Sequence, residues 1–163
     1  MKKTFLKNKK NIQFLIIGLG LIGGSVAKRL SKNGFEVLAI DKKKPHLNHA
    51  KKSKIITGSL EKIDRTKKLF IIVALPPKIL LRNFDKYLDL FHKADFVTDC
   101  TSVKGSLINI IKKNKLESKF ILSHPIAGSE KSGFLNSNED LFRDKISIIS
   151  KHKGLAKSTL QKC

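Results

Sequence analysis

The chain contains no tryptophan and a single tyrosine, Tyr87, so it offers no evident aromatic platform on which nucleic-acid bases stack. It has two cysteines, Cys100 and Cys163, which form neither a disulfide framework nor a metal-ligand pattern and suit a reducing, cytoplasmic setting. No metal ligand set is assigned. No apolar run approaches the roughly 20 residues that a membrane-spanning helix needs. The first ten residues carry lysines where a signal peptide needs an apolar core, and are expected to form a basic, flexible lead-in (1–10). Acidic residues are scarce as well: 13 Asp and Glu stand against 34 Lys and Arg, a formal net charge of +21. Such an excess raises nucleic acid, an anionic membrane surface or an anionic substrate as partners. The lysines are scattered over predicted helix faces and loops without an RNP-like or zinc-finger motif. The charge therefore reads as a solvated lysine-rich surface rather than a nucleic-acid site.

What the chain does have is a glycine-rich turn in a telling place. Gly18-Leu19-Gly20-Leu21-Ile22-Gly23-Gly24-Ser25 follows the apolar run 12–17 and precedes a helical stretch. Strand, glycine turn and helix start suit a phosphate-binding turn: Gly18 permits the bend, Gly20 lets backbone approach a pyrophosphate, and Gly23 lets helix pack on strand. The anion would sit on free helix amides at Leu21 and Ile22. Glycine turns also serve close packing alone, so context decides. The helix is expected over 21–33, stopped by Gly34, and a strand over 35–40 ends at Asp41, close to the spacing at which a dinucleotide site places its ribose-binding acid. A carboxylate there accepts hydrogen bonds from ribose hydroxyls and repels a 2′-phosphate, favouring NAD over NADP, although Lys42, Lys43 and Lys44 follow at once.

Further along, the pattern predicts a helix over 45–53, a short strand over 54–57, a turn before 60–63, and a buried strand over 69–74. That strand ends at Ala74, Leu75 and Pro76, with Ala74 and Pro76 assigned to the coenzyme wall. Residues 78–92 read as one helix with a core face, and as scaffold. A strand over 96–99, a helix over 106–113, a strand over 120–122, a short helix near 138–142 and a last strand over 145–149 complete the order. Strands alternating with helices argue for an α/β, doubly wound, mainly parallel sheet in one unit over 11–150, with a polar tail over 151–163.

Among residues able to do chemistry, His124 stands out, because an imidazole at a strand end can serve as a base near neutral pH. His46, His49, His92 and His152 lie in Lys-rich segments where exposure is the default. Ser102, at the neighbouring strand end, can hydrogen-bond His124 or a substrate hydroxyl, or cap the helix that follows. Asp99 can orient a polar group or accept locally from backbone.

The glycine turn, Val97-Thr98-Asp99-Cys100-Thr101-Ser102-Val103-Lys104-Gly105 and above all Ser123-His124-Pro125-Ile126-Ala127-Gly128-Ser129-Glu130-Lys131-Ser132-Gly133-Phe134 resemble the prephenate/arogenate dehydrogenases of tyrosine biosynthesis, in register from residue 12 to 149. The resemblance implies a Rossmann-like domain with NAD(P) on the glycine turn, and a small anionic substrate, prephenate or arogenate. It implies that His124 and Ser102 contact the substrate's ring hydroxyl, and that Ser129 and Glu130 lie by the pocket. The implied reaction is oxidative decarboxylation with hydride transfer to the nicotinamide. Family members usually continue into an all-helical second domain that forms the dimer and binds substrate carboxylate. This chain is expected to lack it, and so to bind nucleotide but turn over substrate poorly or not at all alone. Cys100-Thr101 stands where the family commonly has a smaller pair. Two other readings compete: a non-catalytic nucleotide-binding fragment, and a basic nucleic-acid-binding protein.

Overall fold

The computed structural model describes residues 8–128, 130–150 and 154. Its frame is a six-stranded sheet in the order β2-β1-β3-β4-β5-β6. The strands are β1 (Ile12–Ile17), β2 (Glu36–Ile40), β3 (Lys68–Val73), β4 (Phe96–Asp99), β5 (Phe120–Pro125) and β6 (Ser147–Ser150). The first five run parallel, and β6 pairs antiparallel with β5. The helices are α1 (Leu21–Lys32), α2 (Lys44–Lys52), α3 (Pro77–Asn83), α4 (Leu88–Lys93) and α5 (Gly105–Lys113). Among the described residues no helix is long and apolar enough to cross a membrane.

All six residues of β1 are buried, and alternation along the strand feeds core clusters on both faces of the sheet. Leu15 and Ile17 join Leu80, Phe84, Phe91, Leu107 and Ile111 of the α3–α5 side, while Ile16 joins Leu19, Ala27, Ala50 and Phe134 of the α1–α2 side. The expected doubly wound sheet is therefore present. The one polar residue in β1, Gln13, is fully satisfied: its side-chain amide donates to Glu36 Oε1 at 2.8 Å and to the Lys62 carbonyl at 3.1 Å, and its oxygen accepts from Asp64 N at 3.1 Å. The sheet order reverses between β1 and β3, which opens a crevice at their carboxyl ends.

Several expectations fail for local reasons. Residues 54–57 make no strand: Lys54 takes φ +56° after α2, and along the edge of β2 there are the isolated Leu38–Gly58 bridge and bonds from Thr57 N and Oγ1 to the Val37 carbonyl. The single helix expected over 78–92 is α3, a 3-10 turn (Phe84–Tyr87) and α4. The Asn83 side chain donates to the Ile79 carbonyl at 2.8 Å, competing with the helical ladder. The break lets Phe84 and Phe91 both reach Phe120, with centroids 6.3 and 5.7 Å away. No helix forms at 138–142, because Asn138 Oδ1 accepts from Asp140 N and Asn138 N donates to Ser25 Oγ, so the segment turns back onto α1. A 3-10 turn (Phe134–Asn136) precedes it. Strand β5 continues past Leu122 through His124 and Pro125, because β6 pairs with those residues.

Phe134 locks the long loop after β5 onto the opposite layer. It is 1% exposed, with Lys28 Nζ 5.1 Å from its ring centroid and the His49 ring 5.8 Å away edge-on. We expect Phe134→Ala to cost about 3–5 kcal/mol, read from urea unfolding; a loss under about 1 kcal/mol would mean the loop is not anchored there.

Candidate functional site

The glycine turn is held from both sides of the crevice. Gly18 N donates to the Ile40 carbonyl and Ala74 N to the Ile17 carbonyl, each at 2.8 Å, so the turn bridges the tips of β2 and β3. Gly18 has φ +98°, and a Cβ on it would lie 2.7 Å from the Ala74 carbonyl oxygen. A Cβ on Gly23 would lie 1.9 Å from the Gly18 carbonyl oxygen, so only glycine lets α1 sit on the turn. Gly20 differs: a Cβ there meets nothing within 4 Å. It faces open space at the start of α1, where the amides of the first turn lack intrahelical partners and suit an anion.

Asp41 closes the turn. Its Oδ2 accepts from Leu19 N at 2.6 Å and its Oδ1 from Lys43 N at 2.7 Å, so a carboxylate stands at the tip of β2 as expected. A cavity of about 570 Å³ lies against these groups, a size suited to a small-molecule ligand. Gly18, Gly20, Asp41, Ala74 and Pro76 line it, whereas Leu21, Ile22 and Gly23 do not. The open turn, the free helix amides and the carboxylate fit a dinucleotide's pyrophosphate and ribose.

The opposite wall was not legible in the sequence. Asn83, Lys86 and Tyr87, part of the stretch read as scaffold, line the cavity, as do Ser132 and Gly133. The Tyr87 hydroxyl is held above its ordinary pKa by burial, with the Asp41 charge adding. His46, expected on the surface, also lines the cavity with its side chain 18% exposed, whereas His49 and His92 are exposed as expected. His152 lies outside the described residues.

The candidate reacting residues sit on the neighbouring tips of β4 and β5. His124 is half-buried, and its Nδ1 lies 3.4 Å from the Cys100 carbonyl. A carbonyl only accepts, so this pairing puts the ring proton on Nδ1 and leaves the Nε2 lone pair available. Ser102 follows two residues after that carbonyl and is exposed. It does not cap α5, whose N-cap position is Lys104. Glu130 is exposed and outside the cavity lining, and Ser129 lies outside the described residues.

Beneath these tips lies an ion pair that the sequence reading missed. Asp99 is fully buried, and its Oδ2 accepts from Lys104 Nζ at 2.5 Å, from Thr101 N at 3.0 Å and from Thr101 Oγ1. Lys104 Nζ also donates to the Ser123 carbonyl at 2.7 Å, and Ser123 Oγ donates to the Asp99 carbonyl at 2.7 Å. One cation thus ties the end of β4 to the residue before His124. Burial, with the Asp99 charge adding, pushes the adjacent Cys100 thiol up to about 12, which keeps it protonated and inert at neutral pH.

A family model described as prephenate dehydrogenase, nucleotide-binding domain, matches residues 26–162. The chain belongs to that family. It is 31% identical to a prephenate dehydrogenase of Lactococcus lactis over 144 residues, covering 85% of this chain and 40% of the relative. It is 30% identical to the Bacillus subtilis prephenate dehydrogenase over 151 residues, covering 88% and 40%. Among solved structures it is similar to the A. aeolicus prephenate dehydrogenase in complex with hydroxyphenyl propionate and NAD+. That match has a TM-score of 0.75 and 30% identity, and covers 91% of this chain and 54% of that one. The Synechocystis arogenate dehydrogenase gives a TM-score of 0.76 and 25% identity, with 91% and 53% covered. The chain thus spans 40% of the length of the curated relatives it matches. The matched span of the family model begins at residue 26, so the glycine turn is identified by its own geometry.

Three substitutions test this geometry. Gly20→Ala is expected to leave the melting temperature unchanged while weakening nucleotide binding, whereas Gly23→Ala is expected to lower the melting temperature sharply; equal effects on stability would contradict the assigned packing. Lys104→Met, which strands a buried carboxylate, is expected to cost about 3 kcal/mol in urea unfolding, and a loss below about 1 kcal/mol would contradict a structural pair.

Proposed function

We propose that the chain is the coenzyme-binding and proton-transferring part of a prephenate or arogenate dehydrogenase of tyrosine biosynthesis, with residues 11–150 as the nucleotide-binding unit. The observation that carries this reading is the placement of an open glycine turn, a ribose-side carboxylate and the His124 strand tip along the carboxyl edge of one sheet. Asp41 supports NAD over NADP, because its charge opposes a 2′-phosphate at contact distance. Two cysteines without a framework support a cytoplasmic setting.

In this reading the first-turn amides of α1 bind the pyrophosphate and Asp41 accepts from the adenosine ribose. Bound NAD+ supplies the hydride acceptor. Ser102 hydrogen-bonds the substrate's ring hydroxyl and orients it. His124 Nε2 takes the hydroxyl proton, which lets the ring carbon release its hydride as carbon dioxide leaves and the ring becomes aromatic. Asp99 and Lys104 keep the two tips in register, because a displacement of about 1 Å is costly to positioned proton transfer.

The test has a binding and a catalytic arm. NAD+ is expected to bind the 163-residue chain in calorimetry. In a chimera carrying this chain in place of the aligned part of the Lactococcus lactis enzyme, His124→Ala is expected to lower kcat by about 10²-fold or more while NAD+ affinity stays within about twofold. Unchanged turnover in the variant would contradict the role of His124.

A further inference from the structure

Among the described residues, one buried side-chain nitrogen in this cavity has no hydrogen-bond partner. Nδ1 of His46 is buried without a hydrogen bond, 3.8 Å from Asp41 Oδ1, with the two side chains 18% and 11% exposed. That distance is too long for a hydrogen bond and short enough for opposite charges to pair. The imidazole is confined on both sides. On its own element, the His46 backbone N is fixed to the Lys43 carbonyl. Across from it, Gly133 at φ +90° would carry a Cβ 3.9 Å from His46 Nε2, and the Phe134 ring lies 6.3 Å away. The charged and titratable groups around the same cavity are Asp41, Lys42 and Lys43 from the β2–α2 connection, and Lys86 and Tyr87 from the turn before α4. His49, one turn further along α2, packs on the other side against Phe134. Asp41 is the one carboxylate among them, and the hydrogen bonds it accepts come from backbone amides, which orient it without cancelling its charge.

We propose that His46 is a positioning residue that sets coenzyme choice through Asp41. With the imidazole neutral, Asp41 keeps its charge, accepts the ribose hydroxyls and repels a 2′-phosphate. With the imidazole protonated, Nδ1–H pairs with Asp41, cancels its charge and admits a 2′-phosphate beside Lys42 and Lys43. Discrimination between NAD+ and NADP+ then weakens as pH falls through the range in which imidazoles take up a proton. The inference rests on the reading of this cavity as the adenosine end of the coenzyme site.

Calorimetric titration of the 163-residue chain with NAD+ and with NADP+ between pH 5.5 and 8.5 tests it. The wild-type preference for NAD+ is expected to fall by about tenfold across that range. The 2′-phosphate itself gains a proton near pH 6, which accounts for part of the fall and persists in any variant that keeps Asp41. His46→Gln, which keeps a polar side chain but cannot charge, is expected to show only that part, about threefold. Asp41→Asn provides a second variant: it is expected to accept NADP+ across the range, without the wild-type fall in preference for NAD+. Identical pH profiles in wild type and His46→Gln would overturn the proposal while leaving the coenzyme site intact. Failure of both dinucleotides to bind at every pH would overturn the site reading, and the proposal with it.

Discussion

The contact on which the rest of the structure depends is the approach of α1 to the glycine turn, where the Gly23 Cα sits so close to the Gly18 carbonyl that a side chain would fall 1.9 Å from its oxygen. This approach aims the unpaired amides of α1 at the crevice where the sheet order reverses. It also seats Gly24 against Phe134 and Ser137, since a Cβ on Gly24 would meet both within 3 Å. The loop that begins at the reacting strand tip is thereby drawn back across α1 and α2. Ser132 and Gly133 of that loop line the cavity together with Asp41 and His46. Close packing at Gly23 and Gly24 thus fixes the glycine turn and joins it to the loop that leads from His124.

Electrostatics divides the crevice into two ends with different logic. At the tip of β2, Asp41 is a carboxylate oriented by backbone amides and flanked by Lys42 and Lys43, so its charge bears on any ligand beside it. At the tips of β4 and β5, Asp99 is fully buried and paired with Lys104, and the pair serves geometry rather than ligand charge. The excess of lysine over the chain as a whole therefore says little about the site. Lys104, with a side chain 13% exposed and three acceptors within reach, acts unlike the lysines of the solvated surface.

The parts of this arrangement legible in the sequence were those written in local grammar. Glycines at the turn, an acid at the end of β2 and apolar runs of strand length follow from backbone requirements that act over a few residues. Gly18, Gly20, Asp41, Ala74 and Pro76 accordingly line one cavity. What stayed hidden depends on contacts between distant segments. His46 looked like one polar residue in a lysine-rich helix, and its burial comes from residues 133–134, far along the chain. Tyr87 and Lys86 reach the cavity because Asn83 interrupts a helix that apolar periodicity alone would continue. The Asp99–Lys104 pair lay inside a quoted motif, yet only the pairing of β4 with β5 reveals that it ties one strand to the other.

The claim at the centre of this account is that the chain holds a dinucleotide along the turn between β1 and α1. Backbone amide NMR during titration with NAD+ examines it most directly. The expected result is shift changes concentrated at residues 18–23, 41–46, 73–75 and 132–133. Perturbations confined to other surfaces, or none at saturating concentration, would contradict it.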